Sequence, residues 1–186
     1  LKQITLGPKT NLAPMGESSV GLPDVPNNDQ FTGYWVNSAN PEQRLTSAEL
    51  VALYSGENTP IGTFIWEINQ AILNVHDVTL EVGADWNWAQ SIDSLADQFG
   101  QSVDVQALYV DNQQAVELSG DIVNTKQPGT YQVTFKYAGK TVTALVIVRA
   151  DQTSLNIHDI ELPAGSSWQA QDAFDSATDK DGQAVD

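Results

Sequence analysis

Two histidines stand in the same five-residue frame. The first is Leu73-Asn74-Val75-His76-Asp77, and the second is Leu155-Asn156-Ile157-His158-Asp159. A histidine beside carboxylates is a metal ligand or a group that titrates near neutral pH. Zinc, however, takes three or four His or Cys ligands. Each frame offers one His, and the chain has no Cys. The expectation for His76 and His158 is therefore a structural role at the start of a strand.

Other residues with chemistry to offer read in the same direction. Asp179-Lys180-Asp181-Gly182 begins like a calcium loop. A full EF-hand loop would need a carboxylate at 177 and a Glu at its twelfth position. Residue 177 is Ala, so a turn is the better reading, and weak calcium binding at an inter-domain junction stays open. Paired carboxylates are the tools of glycosidases. Here they fall mainly in turns and on polar faces, which predicts solvated surface. Five indoles (Trp35, Trp66, Trp86, Trp88 and Trp168) offer faces for stacking on sugars. Trp86 and Trp168 recur at matching positions, which predicts core packing. Trp88 matches Ala170 and is the one expected to be exposed. No catalytic, cofactor or metal site is assigned, and no ligand-binding residues are identified.

The elements that position these residues follow from an internal repeat, and repeats are sought before anything else. Residues 71–104 align without a gap to residues 153–186, at an offset of 155 − 73 = 82. Leu73/Leu155, Asn74/Asn156, His76/His158, Gly83/Gly165, Trp86/Trp168, Asp93/Asp175, Asp97/Asp179 and Gly100/Gly182 are among the identical pairs. The chain therefore divides into an N-terminal piece, 1–70, a complete unit, 71–152, and an incomplete copy, 153–186.

Within the complete unit, Val78, Leu80 and Val82 alternate with polar residues and predict a half-buried strand. Ile92, Leu95 and Phe99 at i, i+3 and i+7, followed by Gly100, predict a short helix within 88–99. Val105, Ala107 and Tyr109 predict another strand, and residues 116–123 a further one. Tyr131, Val133, Phe135 and Tyr137 alternate, Ala138-Gly139 makes a tight turn, and Val142, Ala144, Val146 and Val148 line the return strand. Several short strands separated by turns make a small β-sandwich. The copy at 153–186 lacks the counterpart of this hairpin. Its inner face is expected to be open and its order marginal, unless it packs on another surface.

In residues 1–70, Ile4 and Leu6 predict a strand, and residues 7–29 read as loop. FTGYW at 31–35 predicts a second strand. Thr46 and Glu49 form a capping box, stapled by Leu45 and Leu50, ahead of a helix at about 47–54. GTFIWEIN at 62–69 is a last strand. This order makes a small α+β unit, with a β-grasp-like arrangement as one form of it.

The balance of charge narrows the partners. Eight Lys and Arg face 24 Asp and Glu, a net charge of −16. Phosphate binding needs cations to displace counterions, so nucleic acid is not an expected partner. An anionic membrane surface is disfavoured for the same reason. No apolar run is long enough to span a bilayer. The opening at Leu1 reads as a piece of something longer.

The stretch TKQPGTYQVTFKYAGKTVTALVIV, preceded by VELSGDIVN and opened by HDVTLEVGADW, resembles the group 3 bacterial immunoglobulin-like domains. FDSATDKDGQAVD in the second copy is similar to the middle of the same pattern. The run LPDVPNNDQFTGYW…WEI more weakly resembles the Listeria–Bacteroides repeat, with a longer helix insertion and Gly33-Tyr34-Trp35 in place of Gly-Trp-Tyr. The first resemblance implies a tandem module of a Gram-positive surface protein, extracellular and anchored to the cell wall through regions outside this chain. It implies a non-enzymatic stalk or adhesin piece whose partners are host glycans, proteins or neighbouring cell-wall components, and the polar, anionic surface predicts a monomer. Lys–Asn or Lys–Asp crosslinks occur in such adhesins, but Lys is scarce and the strand 141–148 carries no Asn or Asp. Two alternatives stand beside this reading. One is a glycan- or protein-binding module at the junction of 1–70 with 71–152. The other is an accessory region of a secreted hydrolase. The fold class expected is mostly β: an immunoglobulin-like sandwich with one short helix, preceded by a small α+β domain.

Overall fold

The computed structural model describes residues 1–13 and 21–185; residues 14–20 of the expected N-terminal loop, and Asp186, lie outside them. The chain runs β1 (Gln3–Leu6), β2 (Phe31–Asn37), β3 (Asn40–Leu45), α1 (Ser47–Leu53) and β4 (Gly62–Ile68). These strands form one antiparallel sheet in the order β1-β4-β2-β3. The expected capping box is present: Thr46 accepts from the Glu49 amide, and the Glu49 carboxylate accepts from the Thr46 amide. Leu50 of the staple is buried, with Trp35, Tyr54 and Phe64, in the core beneath this sheet. Strand β3 was not expected. Its sequence, NPEQRL, shows no apolar alternation because it is an exposed edge, the one place in a sheet that tolerates a proline.

The chain continues with β5 (Ile72–Val75), β6 (Val78–Glu81), β7 (Ile92–Ala96), α2 (Val105–Asp111), β8 (Glu117–Gly120), β9 (Gly129–Tyr137) and β10 (Lys140–Arg149). One sheet has the order β6-β10-β9-β8, and β5 pairs with β7 in the other. Leu73, Ile92 and Leu95 from the small sheet share a core with Val133, Phe135, Ala144 and Val146 from the large one. This is the expected immunoglobulin-like sandwich. The hairpin is as the alternation predicts, with Ala138 (φ 44°) and Gly139 (φ 82°) making its tip. Two positive φ values in a row fit the twist of the strands they join.

Two elements differ from expectation. Residues 92–96 are a strand, preceded by a short 3-10 turn at Trp88–Ser91, and not a helix. The pairing shifts register between Asn74 and Val75, so that Asn74 faces Ser94 while Val75 faces Ile92. Asp93 is the extra residue of a β-bulge. The bulge resets the alternation and turns both Ile92 and Leu95 to the core, which imitates helical spacing. The helix lies instead at α2, where a strand was expected. Asp104 caps it by accepting from the Ala107 amide, and Val105, Leu108 and Tyr109 pack on the sandwich at i, i+3 and i+4.

The second copy forms β11 (Ser154–Ile157), β12 (Phe174–Thr178) and β13 (Ala184–Val185), paired in that order. Its registers repeat those of the first copy: Asn156 faces Ser176 and Ile157 faces Phe174, with the shift between them. The face covered by β9 and β10 in the first copy is open here. Leu155 is 68% exposed and Ile157 66%.

Candidate functional site

The repeated histidines are held by the bulge. Nδ1 of His76 lies 2.8 Å from Oδ1 of Asp93, and Nδ1 of His158 lies 2.8 Å from Oδ1 of Asp175. The backbone joins in. The His76 amide donates to the Ser91 carbonyl, and the His158 amide to that of Ala173. One residue beyond, Asp77 Oδ1 accepts from the Leu145 amide and ties this corner to β10. Each pair thus pins the end of one strand to the bulge of the next. Among the described residues no group of three or more His, Cys, Asp or Glu comes together as metal ligands would.

The calcium-like segment is a turn. Asp179 Oδ1 accepts from the amides of Asp181 and Gln183, and Asp97 Oδ1 accepts from those of Phe99 and Gln101. The recurring Asp is spent on closing a loop whose αL position is Gly100 or Gly182.

The tryptophans correct the sequence reading. Trp88, expected at the surface, is only 4% exposed. Its indole N–H donates to the Gln113 carbonyl, and Tyr109 of α2 meets it edge-on at 5.3 Å. Helix α2, where a strand was expected, covers it. Trp168, expected in a core, is 52% exposed, because the strands that would cover it are absent from its copy. Trp86 packs against the core of the first copy and donates to Ser91. Trp35 is fully buried and donates to Ser47, while Trp66 meets Phe31 edge-on at 5.2 Å.

A group of hydrogen-bonded residues lies between the N-terminal sheet and the sandwich. Asn69, 5% exposed, follows β4. Its amide group donates to the Asn28 carbonyl and to the Ala138 carbonyl, each at 2.7 Å. Its oxygen accepts from the Ala71 amide. Lys140 Nζ donates to the Asp29 carbonyl at 2.6 Å. The Asn28–Phe31 turn that offers these carbonyls is itself braced, with Asn28 Oδ1 accepting from the amides of Gln30 and Phe31. The Arg44 guanidinium of the N-terminal unit lies 4.5 Å over the Phe99 ring of the sandwich, while Arg44 Nε bonds Glu67 at 2.6 Å. A cleft of about 350 Å3 opens beside this contact, lined by Asn27, Gln98, Gln114, Glu117, Lys136 and Tyr137. Burial, then the charge of Asp97, pushes the Tyr137 hydroxyl above its ordinary pKa.

The junction was named from sequence as an alternative binding place, but Asn28, Asn69, Arg44 and Lys140 were not singled out. Extending the repeat two residues upstream places Asn69 opposite Asp151, since 69 + 82 = 151.

Comparison with known families agrees with the fold. Residues 73–148 match the family of the bacterial Ig-like domain (group 3). That segment, less than half of the chain, is therefore a bacterial Ig-like domain, a type of module found in bacterial surface and extracellular proteins. A search of curated proteins finds no match for the chain.

Proposed function

We propose that the protein is a non-enzymatic segment of a bacterial cell-surface protein, a stalk or adhesin piece built from head-to-tail immunoglobulin-like units. Its parts are a small α+β unit at 1–70, the sandwich at 71–152 and a partial second sandwich at 153–186. One observation carries the reading. The β5/β7 pairing, its bulge, the His–Asp pair and the Asp turn all recur at an offset of 82 residues. What is repeated is scaffold, and the recurring His–Asp pairs and turn aspartates are spent on structural bonds. Modules that contact mainly their sequence neighbours extend as a line.

The test uses whole cells that make the parent protein. Antibody raised against this chain should label intact cells, and brief protease treatment of those cells should remove the label. Label that appears only after lysis overturns the surface assignment.

A second reading is favoured by the cleft at the junction. Gln98, Gln114 and Asn27 offer amides, and Tyr137 an aromatic ring, in the combination that suits a sugar or a peptide backbone. Binding on a glycan array that Gln114→Ala abolishes would establish it.

A further inference from the structure

We infer that Asn69 locks the N-terminal unit and the sandwich into one rigid body, and that the next junction is a hinge because Asp151 stands in the same place. Both residues make the same local turn. Asn69 Oδ1 accepts from the Ala71 amide, and Asp151 Oδ1 accepts from the Thr153 amide. The difference is the other half of the side chain. The Asn69 amide group has two N–H donors, and they reach two carbonyls on two different units, Asn28 and Ala138. A carboxylate has the same shape and no donor. At Asp151 that half of the lock has nothing to donate.

Two further contacts belong to the lock. The hairpin tip sits so close to the N-terminal unit that a Cβ on Gly139 would stand 2.6 Å from both the carbonyl carbon and the oxygen of Asn28. Lys140 then bonds the neighbouring Asp29 carbonyl. On the other flank Phe99 lies under Arg44. The counterpart of Phe99 is Asp181, since 99 + 82 = 181. It offers no ring. Instead Lys180 reaches back to Glu81 at 3.3 Å and to Asp181 at 3.3 Å. That pair is exposed, and exposed ion pairs are weak and screened by salt. The first joint is therefore closed by two amide donors, a close backbone approach and a ring under Arg44, whereas Asp151 and Asp181 supply neither the donors nor the ring at the second.

Because the chain contains no Cys, introduced cysteine pairs can carry nitroxide labels at chosen places. Glu42→Cys with Asp111→Cys spans the first junction, and Asp111→Cys with Ser166→Cys spans the second; all three positions are exposed. Pulsed dipolar distance measurement on the full chain should give a narrow distribution across the first junction. Across the second it should be at least roughly twofold wider, as for domains without a firm interface. Raising the salt should widen the second further and leave the first unchanged. Asn69→Asp should widen the first to the breadth of the second, with near-ultraviolet dichroism of the buried aromatics retained. Should Asn69→Asp unfold a unit, Lys140→Met, which removes the bond to the Asp29 carbonyl, should widen the first distribution part of the way. Equal widths across the two junctions in the parent chain overturn the inference. So does a first junction that stays narrow in the folded variant. Neither result depends on where the protein resides, so the surface assignment stands or falls separately.

Discussion

Oδ1 of Asp93 lies 2.8 Å from Nδ1 of His76, and the carboxylate reaches that ring because Asp93 is the extra residue of a β-bulge. Without the bulge, alternation along β7 would turn the side chain differently. The same relationship holds between Asp175 and His158. The bulge, the pair and the strand end form one device, and the device is what the repeat conserves between its two copies.

Trp88 is a structural residue, and its removal is expected to be costly. Trp88→Ala empties a site beneath Tyr109 and leaves the Gln113 carbonyl without its indole donor. Loss of about 3–5 kcal/mol is expected for a buried tryptophan. Urea denaturation of the full chain measures it. A change below about 1 kcal/mol would mean that the site is not packed as described.

The capping box ties α1 to pH. Hydrogen bonds from the Thr46 backbone and side chain hold the Glu49 carboxyl below its usual pKa of 4.5. A lowered folded-state pKa stabilises above the unfolded value, and that contribution disappears as pH falls through the folded value. Thr46→Ala removes the N-cap acceptor of the Glu49 amide and the hydroxyl that bonds its carboxylate, and should lower stability near neutral pH. In acid well below pH 4.5, the difference between parent and variant should shrink. Thermal melts at the two pH values compare them; an equal loss at both contradicts the role given to Glu49.

The open face of β11-β12-β13 predicts uneven resistance to proteolysis. Leu155, Ile157, Trp168 and Phe174 lie at the surface, whereas Leu73 and Ile92, the counterparts of Leu155 and Phe174, are buried beneath β9 and β10. Few buried contacts mean a low free energy of local opening. Limited proteolysis of dilute protein should cleave within 154–185 well before 71–149. Equal survival of both segments would show that some surface covers the second copy.

Charge predicts self-association in acid. The chain carries a net charge of −16 at pH 7 and its pI is near 4.1. As carboxylates protonate, the repulsion between chains fades. Light scattering should show larger particles near the pI than at neutral pH. Identical monomers under both conditions would contradict this.

Local pattern was enough wherever one face of an element meets the core and the other meets water. The alternation from Tyr131 to Val148, the Ala138-Gly139 turn, the Thr46/Glu49 box and the two aligned copies can all be read from the residues, because each signal is complete within a few positions. Tertiary structure decided the rest, for three physical reasons. A bulge at Asp93 sets Ile92 and Leu95 three apart on a strand, and spacing alone does not tell that from a helical turn. Residues 105–111 alternate like a strand, yet the Asp104 cap and the need to cover Trp88 make them a helix. The bonds of Asn69 join residues 28, 69 and 138, which only the folded chain brings to one place; no local pattern announces an amide whose partners are so distant in sequence.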